Sequence, residues 1–399
     1  MRPFPWDSKA PEPLRSKGFG AIECNISVKV LTVEKFRSTI VDANHTIVLR
    51  KELEHLYYTT PQQFMQGENV ATPRVLEDFS SSGRRHPWRE KKMNNELLSY
   101  AYESVDQRKA ERLRECGDVL RFRVYETGEK KLDFMNSCRV RLCPLCSWRR
   151  SLKAFYHTNQ ICVYLAGLRE YRYVMLTLTV RNCAGDQLGE TIDTMMHGWN
   201  RFMQRKRTKT SIKGWMRSLE ITHNTAYDSD SFDTYHPHFH VLLCVGKRYF
   251  TSEYISKKDY AAMWRESCRL DYDPVIDVRV IKADCSNGLV EAVDGVAAIA
   301  DAVGEAAKYT VKDSDYIIPD DWDLTVSAVE TLDKAIDKRR LLAFGGVMAD
   351  AHRALHLDDE DNGDLVNVGD QGEKKEDVYR LVNYFWFSGA RDESNYYER

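Results

Sequence analysis

The stretch YHPHFHVLLCV at residues 235–245 places three of the chain's eleven histidines at alternate positions and then runs directly into apolar residues. Alternate residues of a β-strand share a face, so His238 and His240 present both rings on one side, about 6.6 Å apart along the strand. Phe239, Val241, Leu243 and Val245 fall on the opposite, buried side. Three readings fit the strand taken alone: a trio of catalytic imidazoles, a metal clamp built from two of them, or a half-exposed polar face. Pro237 sets His236 apart, because a residue without an N–H cannot donate to a central ladder, and His236 is expected at the start of the strand.

The neighbouring segments give the histidines company. WMRSLEIT at 215–222 reads as a strand with Leu219 and Ile221 inward and Ser218, Glu220 and Thr222 outward. A polar loop follows, so a hairpin is the simplest connection, and it sets Glu220 beside His238 or His240 on one face. A His/His/Glu set leaves open coordination positions, which suits a catalytic Mg²⁺ or Mn²⁺ that binds a phosphate oxygen. YRYVMLTLTV at 171–180 is a further strand, with Val174, Leu176, Leu178 and Val180 on one face. Downstream, residues 190–207 carry Ile192, Met195, Met196, Trp199, Phe202 and Met203 at helical spacing, and end in Arg205, Lys206 and Arg207, which suit a helix C-terminus and could meet phosphates.

Ten cysteines are present, and in a reducing compartment disulfides are poor candidates for them. Cys24, Cys162, Cys183, Cys244, Cys268 and Cys285 are dispersed among apolar neighbours and read as small buried hydrophobes. Cys116, Cys138, Cys143 and Cys146 instead combine a Cys-x-x-Cys knuckle with two further thiols, the pattern of a closed, structural Zn²⁺ site. The zinc-deaminase pattern fails, since no His-x-Glu precedes the knuckle. Arg139, Arg141, Arg149, Arg150 and Lys153 surround it and make a basic, DNA-contacting module the natural expectation.

EAAKYTVK at 305–312 is expected on a helix, where Glu305, Lys308, Tyr309 and Lys312 share one stripe. Such a stripe combines an oxygen nucleophile in Tyr309, a nearby carboxylate and two cations to stabilise developing charge. Core packing is the ordinary role of a tyrosine in an Ala-rich helix.

At 399 residues and 43% hydrophobic content the chain can bury a large core. The net charge of −2 averages two unlike regions: 18 Lys/Arg against 10 Asp/Glu over residues 84–153, and 10 against 21 over residues 313–399. The basic part could meet a polyanion, and the acidic part, with its exposed loop LDDEDNGD, a solvated or partner-facing role. No run of eighteen apolar residues occurs, and MRPFPWDSKAPEP carries proline and charge where a signal peptide needs an apolar run, so the cytoplasm is the expected location, with no membrane contact. Residues 80–89 read as a linker and residues 94–116 as one helix.

In this order, CRVRLCPLCSWRRSLK, VMLTLTV, RSLEIT, HPHFHVLL and EAAKYTVKDSDY resemble the motifs of rolling-circle replication initiators of bacterial plasmids, the single-tyrosine members of the HUH endonuclease superfamily. The resemblance covers about residues 116–316. It implies an α+β fold, a central antiparallel sheet flanked by helices with the histidine strand in the middle, and an upstream four-cysteine zinc module. It implies Tyr309 as nucleophile, His238 and His240 as metal ligands with Glu220 as the third, and Glu305 as the residue that activates water for terminating cleavage. His236 would lie beside the metal or contact DNA. The implied partners are plasmid origin DNA, double- and single-stranded, then a host helicase and replicative polymerase, with a homodimer admissible. The organisation drawn from this is an unassigned region at 1–83, a basic four-cysteine zinc module at 84–160, a nicking and joining domain at 161–318, and an acidic region at 319–399.

Three rivals remain, one of which keeps the chemistry and changes the biology. A histidine-triad nucleotide hydrolase or transferase would use the alternating histidines, but leaves the cysteines and the tyrosine helix unexplained. A transposase of the HUH type would need a second tyrosine, for which Tyr316 is available. A non-catalytic zinc-containing DNA-binding regulator would use only the basic module.

Overall fold

The computed structural model describes residues 74–80, 83–281, 302–307, 310–369, 378–389 and 393–398. In chain order the elements are α1 (Trp88–Glu103), α2 (Gln107–Glu115), β1 (Val119–Tyr125), β2 (Lys130–Met135), α3 (Pro144–Leu168), β3 (Arg172–Thr179), α4 (Leu188–Gln204), α5 (Lys206–Ser211), β4 (Ile212–Asn224), β5 (Thr234–Val245), α6 (Lys257–Cys268), β6 (Ile276–Ile281), α7 (Trp322–Ile336), β7 (Leu342–Gly346), α8 (Val347–Ala354), β8 (Tyr379–Phe387) and β9 (Asn395–Glu398). A short helical turn at 302–306 precedes α7. The expected α+β architecture of antiparallel sheets flanked by helices is present.

The larger sheet has the order β6-β3-β5-β4-β7, with every pairing antiparallel and the histidine strand β5 at its centre. One face is apolar apart from the buried Arg217, whose guanidinium lies over the Phe239 ring. Val174, Leu176 and Leu178 of β3, Leu219 and Ile221 of β4, and Phe239, Val241, Leu243 and Val245 of β5 are buried in a single core. Against them lies the stripe of α4, in which Leu188, Ile192, Met195, Trp199 and Phe202 are buried while Met196 and Met203 are only partly so. Trp199 packs edge-on against Phe239, and Trp264 of α6 against Phe202. Each of these large side chains contributes about 1.5–3 kcal/mol by leaving water.

The opposite face is divided. Tyr173, Met175, Met216, Leu242 and Cys244 form a second core with Ala154, Ile161 and Leu165 of α3, Met348 and Ala351 of α8, and Val303, Ala306 and Ala307. The polar residues Thr177, Ser218, Glu220, His238 and His240 continue the same face toward the other end of the sheet. Ser218 and Glu220, expected to point outward, are 5% and 4% exposed. The reason is that helices cover both faces of this sheet, so "outward" means toward a second buried layer.

The smaller sheet, β2-β1-β8-β9, joins chain segments far apart in sequence. β1 pairs with β8 from Val119↔Phe385 to Tyr125↔Tyr379. The segments drawn as 84–160 and 319–399 therefore share one sheet, and α3 runs across the 160/161 boundary. Part of the expected linker at 80–89 is built into the fold: Trp88 opens α1, is 3% exposed, and donates Nε1–H to Asp78 Oδ2 at 2.7 Å. The single helix expected at 94–116 is two, because Asp106 caps a fresh start by accepting from the amides of Arg108 and Lys109. Likewise the helix expected over 190–207 ends at Gln204, and Arg205 is extended before the short α5.

Candidate metal and nicking site

β4 and β5 are the most extensively paired strands of the larger sheet, and their register sets Glu220 opposite His238 and Ser218 opposite His240. His236 lies opposite Thr222, within the strand, where the sequence placed it at the start. Pro237 is tolerated in a central strand for a local reason. The amide of Ile221, its partner, points away from β5 and donates to Thr310 O at 2.7 Å, so this is a non-hydrogen-bonded pair. The proline nitrogen then faces the β3 side, in the gap between the ladder that ends at Thr179↔His238 and the isolated Cys183–Tyr235 bridge.

The side chains converge as the register dictates. Glu220 Oε2 lies 2.8 Å from His240 Nε2 and 3.5 Å from His238 Nε2. His240 Nδ1 is 3.4 Å from Thr177 Oγ1 on β3, and His238 Nδ1 is 3.1 Å from the carbonyl of His236. Those second contacts orient both rings, as the outer partners of metal-bound imidazoles do. Glu220 is buried, which alone would raise its pKa, but the two imidazoles outweigh burial and hold the carboxyl well below the usual range. Burial pushes the His236 imidazole down. Two imidazole nitrogens and a carboxylate oxygen within 4.8 Å of one another can hold a metal ion.

Ala306, in the turn at 302–306, and Thr310 are both hydrogen-bonded to β4. Ser218 Oγ donates to Ala306 O at 2.6 Å, and Ile221 N to Thr310 O. Lys308 and Tyr309 lie outside the described residues. Glu305 makes an ion pair with Arg279 of β6 at 2.7 Å, a partner that sequence reasoning missed because it comes from an edge strand with no motif of its own. Lys312, expected on the helical stripe, is extended instead, yet its Nζ lies 3.4 Å from Glu220 Oε1. Tyr316 is 1% exposed and donates its hydroxyl to Leu142 O at 2.6 Å, so it is a core residue.

The four cysteines come together as expected. Cys116 Sγ lies 3.6 Å from the sulfurs of both Cys143 and Cys146, and Cys138 Sγ lies 3.8 Å from that of Cys146. A tetrahedral ion with metal–sulfur bonds of about 2.3 Å sets its ligands about 3.8 Å apart, so the donor set fits zinc. Backbone amides support the sulfurs: Cys138 N donates to Cys116 Sγ and Cys146 N to Cys143 Sγ. Gly117 adopts φ +73°, and a Cβ there would meet Leu145 Cδ1 at 2.5 Å, so glycine is required just after the first ligand. Cys162, Cys183, Cys244 and Cys268 are buried as read from sequence, while Cys24 and Cys285 lie outside the described residues.

The basic residues around the knuckle do not stand free. Arg139 donates to the carbonyls of Asn362 and Gly363, Arg141 to that of Arg339, and Arg150 to those of Asp361, Val140 and Arg139. Arg149, 2% exposed, donates to Leu365 O and Val366 O. Lys153 is fully buried and pairs with Asp358. Arg139, Arg150 and Lys153 clamp the acidic loop LDDEDNGD, and Arg149 the two residues after it; Glu360 of the loop is buried although the loop was expected exposed. Arg205 pairs with Glu266 and Arg207 with Asp259, both of α6, while Lys206 is exposed. The sequence pattern of charge was correct, but nearby acidic residues and carbonyls already use most of it.

The family model described as "Replication protein" matches residues 129–397. A protein named "Protein rep" from Bacillus amyloliquefaciens is 38% identical over 344 residues, covering 80% of this chain and 96% of the relative. A "Protein rep" from a Bacillus species is 40% identical over 300 residues, 72% of this chain and 93% of the relative, and one from Streptococcus pneumoniae is 32% identical over 318 residues, 77% and 92%. The chain belongs to this replication-protein family, the rolling-circle Rep proteins of bacterial plasmids. No solved structure matches it. Among the described residues no helix is long and apolar enough to cross a membrane.

Proposed function

We propose that this Rep protein nicks one strand of a plasmid origin through Tyr309 by single-tyrosine HUH chemistry and remains joined to the 5′ end. The observation that carries this reading is the convergence of His238, His240 and Glu220 on a central antiparallel sheet, with Ala306 and Thr310 held to β4 on either side of residues 308–309. A hard divalent cation, Mg²⁺ or Mn²⁺, held by those three ligands would polarise the scissile phosphate. The Tyr309 hydroxyl attacks phosphorus and gives up its proton. The bond to the 3′ oxygen breaks, leaving a 3′-hydroxyl for a host polymerase and a 5′-phosphotyrosine on the protein.

Glu305, positioned by Arg279, serves the second cleavage by taking a proton from water at the regenerated site. Lys312 and Lys308 offer positive charge to the phosphate. Tyr316, committed to the carbonyl of Leu142, disfavours the two-tyrosine transposase reading. The four-cysteine site holds Zn²⁺ and serves folding. Origin DNA is the partner, met through Lys206, His236 and those arginine faces that the acidic loop leaves accessible; a host helicase and a second copy are further expected partners.

The test is covalent capture. Wild-type protein should become linked to a labelled origin oligonucleotide in the presence of Mg²⁺ or Mn²⁺, and Tyr309→Phe should form no adduct while still binding it. An adduct that persists in Tyr309→Phe would overturn the assignment.

A further inference from the structure

A second pair of imidazoles and a carboxylate converges from residues outside the first set. His157 comes from α3, His352 from α8, and Glu360 from the loop that follows α8. Glu360 Oε1 lies 2.8 Å from His157 Nδ1 and 2.8 Å from His352 Nε2, and the three ligand atoms lie within 4.8 Å of one another. All three side chains are shielded: 6% exposed for His157, 6% for Glu360 and 17% for His352.

We propose that His157, His352 and Glu360 form a further divalent-metal site, of the imidazole–carboxylate type that takes zinc, which fastens the acidic loop 357–366 to α3 and α8. It is independent of the nicking reading and uses none of its residues.

Four observations carry it. Both imidazoles address the same carboxylate oxygen, so their nitrogens meet around one point. His157 turns its other nitrogen, Nε2, toward Asp358 Oδ1 at 3.5 Å, the carboxylate–imidazole pairing that orients metal-bound histidines. Asp358 is itself paired with the fully buried Lys153, so the outer contact is fixed from both sides. Finally, Glu360, alone of the three, lines a cavity of about 80 Å³, which gives water access to its carboxylate.

The site also explains why a strongly acidic loop lies against the sheet's covering helix. Arg139, Arg149 and Arg150 grip its carbonyls, but carbonyl contacts do not neutralise a buried Glu360. Two neutral imidazoles and one carboxylate around a divalent ion leave no unbalanced negative charge.

The experiment measures zinc per protein in full-length chain carrying His238→Ala and His240→Ala, which disables the first His/His/Glu set. After equilibration with Zn²⁺ and removal of excess, this protein should hold two equivalents: one at the cysteines, followed separately by the thiolate absorption of a Co²⁺-loaded sample, and one at the new site. Adding His352→Ala or the near-isosteric Glu360→Gln should remove one equivalent and leave the thiolate signal unchanged. One equivalent in the starting protein with the thiolate site filled, or equal zinc with and without the added substitution, would overturn the proposal. Should the added variants fail to fold, the stoichiometry of the starting protein decides alone.

Discussion

The cysteine cluster and the histidine–glutamate cluster can each hold a metal ion, yet their surroundings differ. The four sulfurs are all buried, and their partners are one another and backbone amides. The His238 side chain is 12% exposed, and Lys312, half exposed, reaches the same Glu220 from outside. A closed set contributes its binding free energy to the fold, whereas a set with an accessible side can also meet a substrate. The cysteine cluster also sits where chain segments meet. Lys92 of α1 donates to the carbonyl of Cys116, and Tyr396 of β9 donates its hydroxyl to Gly117 O.

The sharpest way to break this contrast is to remove one member of each set. Cys143→Ser should abolish zinc retention at the cysteines and lower stability by several kcal/mol, on the order of half the ~10 kcal/mol that structural zinc supplies, read as lost metal content and a fall in Tm. His240→Ala should leave Tm nearly unchanged but reduce origin nicking by at least about 10²-fold, the equivalent of about 3 kcal/mol of charge stabilisation. If the histidine variant melts as early as the cysteine variant, the two sites are not divided between folding and chemistry.

A smaller effect is expected at the contact between α1 and the turn after Val311. Asp313 accepts from Lys91 at 2.7 Å and from Asn94 at 2.8 Å. Burial would raise its pKa, but the charge and hydrogen bond of Lys91 outweigh it, and the carboxyl is held below its ordinary 3.8. A lowered folded pKa means the stabilisation is complete above 3.8 and is lost as pH falls through the lower folded value. Asp313→Asn should therefore cost about 2 kcal/mol at neutral pH, with the gap from wild type closing only below pH 3.8 in acid-unfolding curves. Least of all, Arg207→Ala removes an exposed pair with Asp259 and should change stability by less than about 1 kcal/mol.

Much of the candidate site was legible because its geometry is local. Two-residue periodicity puts His238 and His240 on one face, and a hairpin with a polar loop is enough to bring Glu220 beside them. The knuckle is equally local, since Cys143 and Cys146 are three residues apart at a helix start. The helix containing Glu305 was harder, because helical periodicity extended past the point where the backbone turns extended at Lys312. Periodicity shows which residues would share a stripe if a helix continued, but not where tertiary contacts end it.

The sequence by itself determined the residue types, the strand and helix faces, the thiol cluster and the family motif order, because these depend on neighbours within a few positions. Tertiary structure alone decided what becomes of the charges and lone histidines. Arg149 and Lys153 look available for phosphate until a loop some two hundred residues away supplies their partners. His157, His352 and Glu360 carry no spacing signal, and only the packing of α3 against α8 brings them together. A carboxylate or imidazole acts over a few ångströms, and chain separation says nothing about which groups will share that distance after folding.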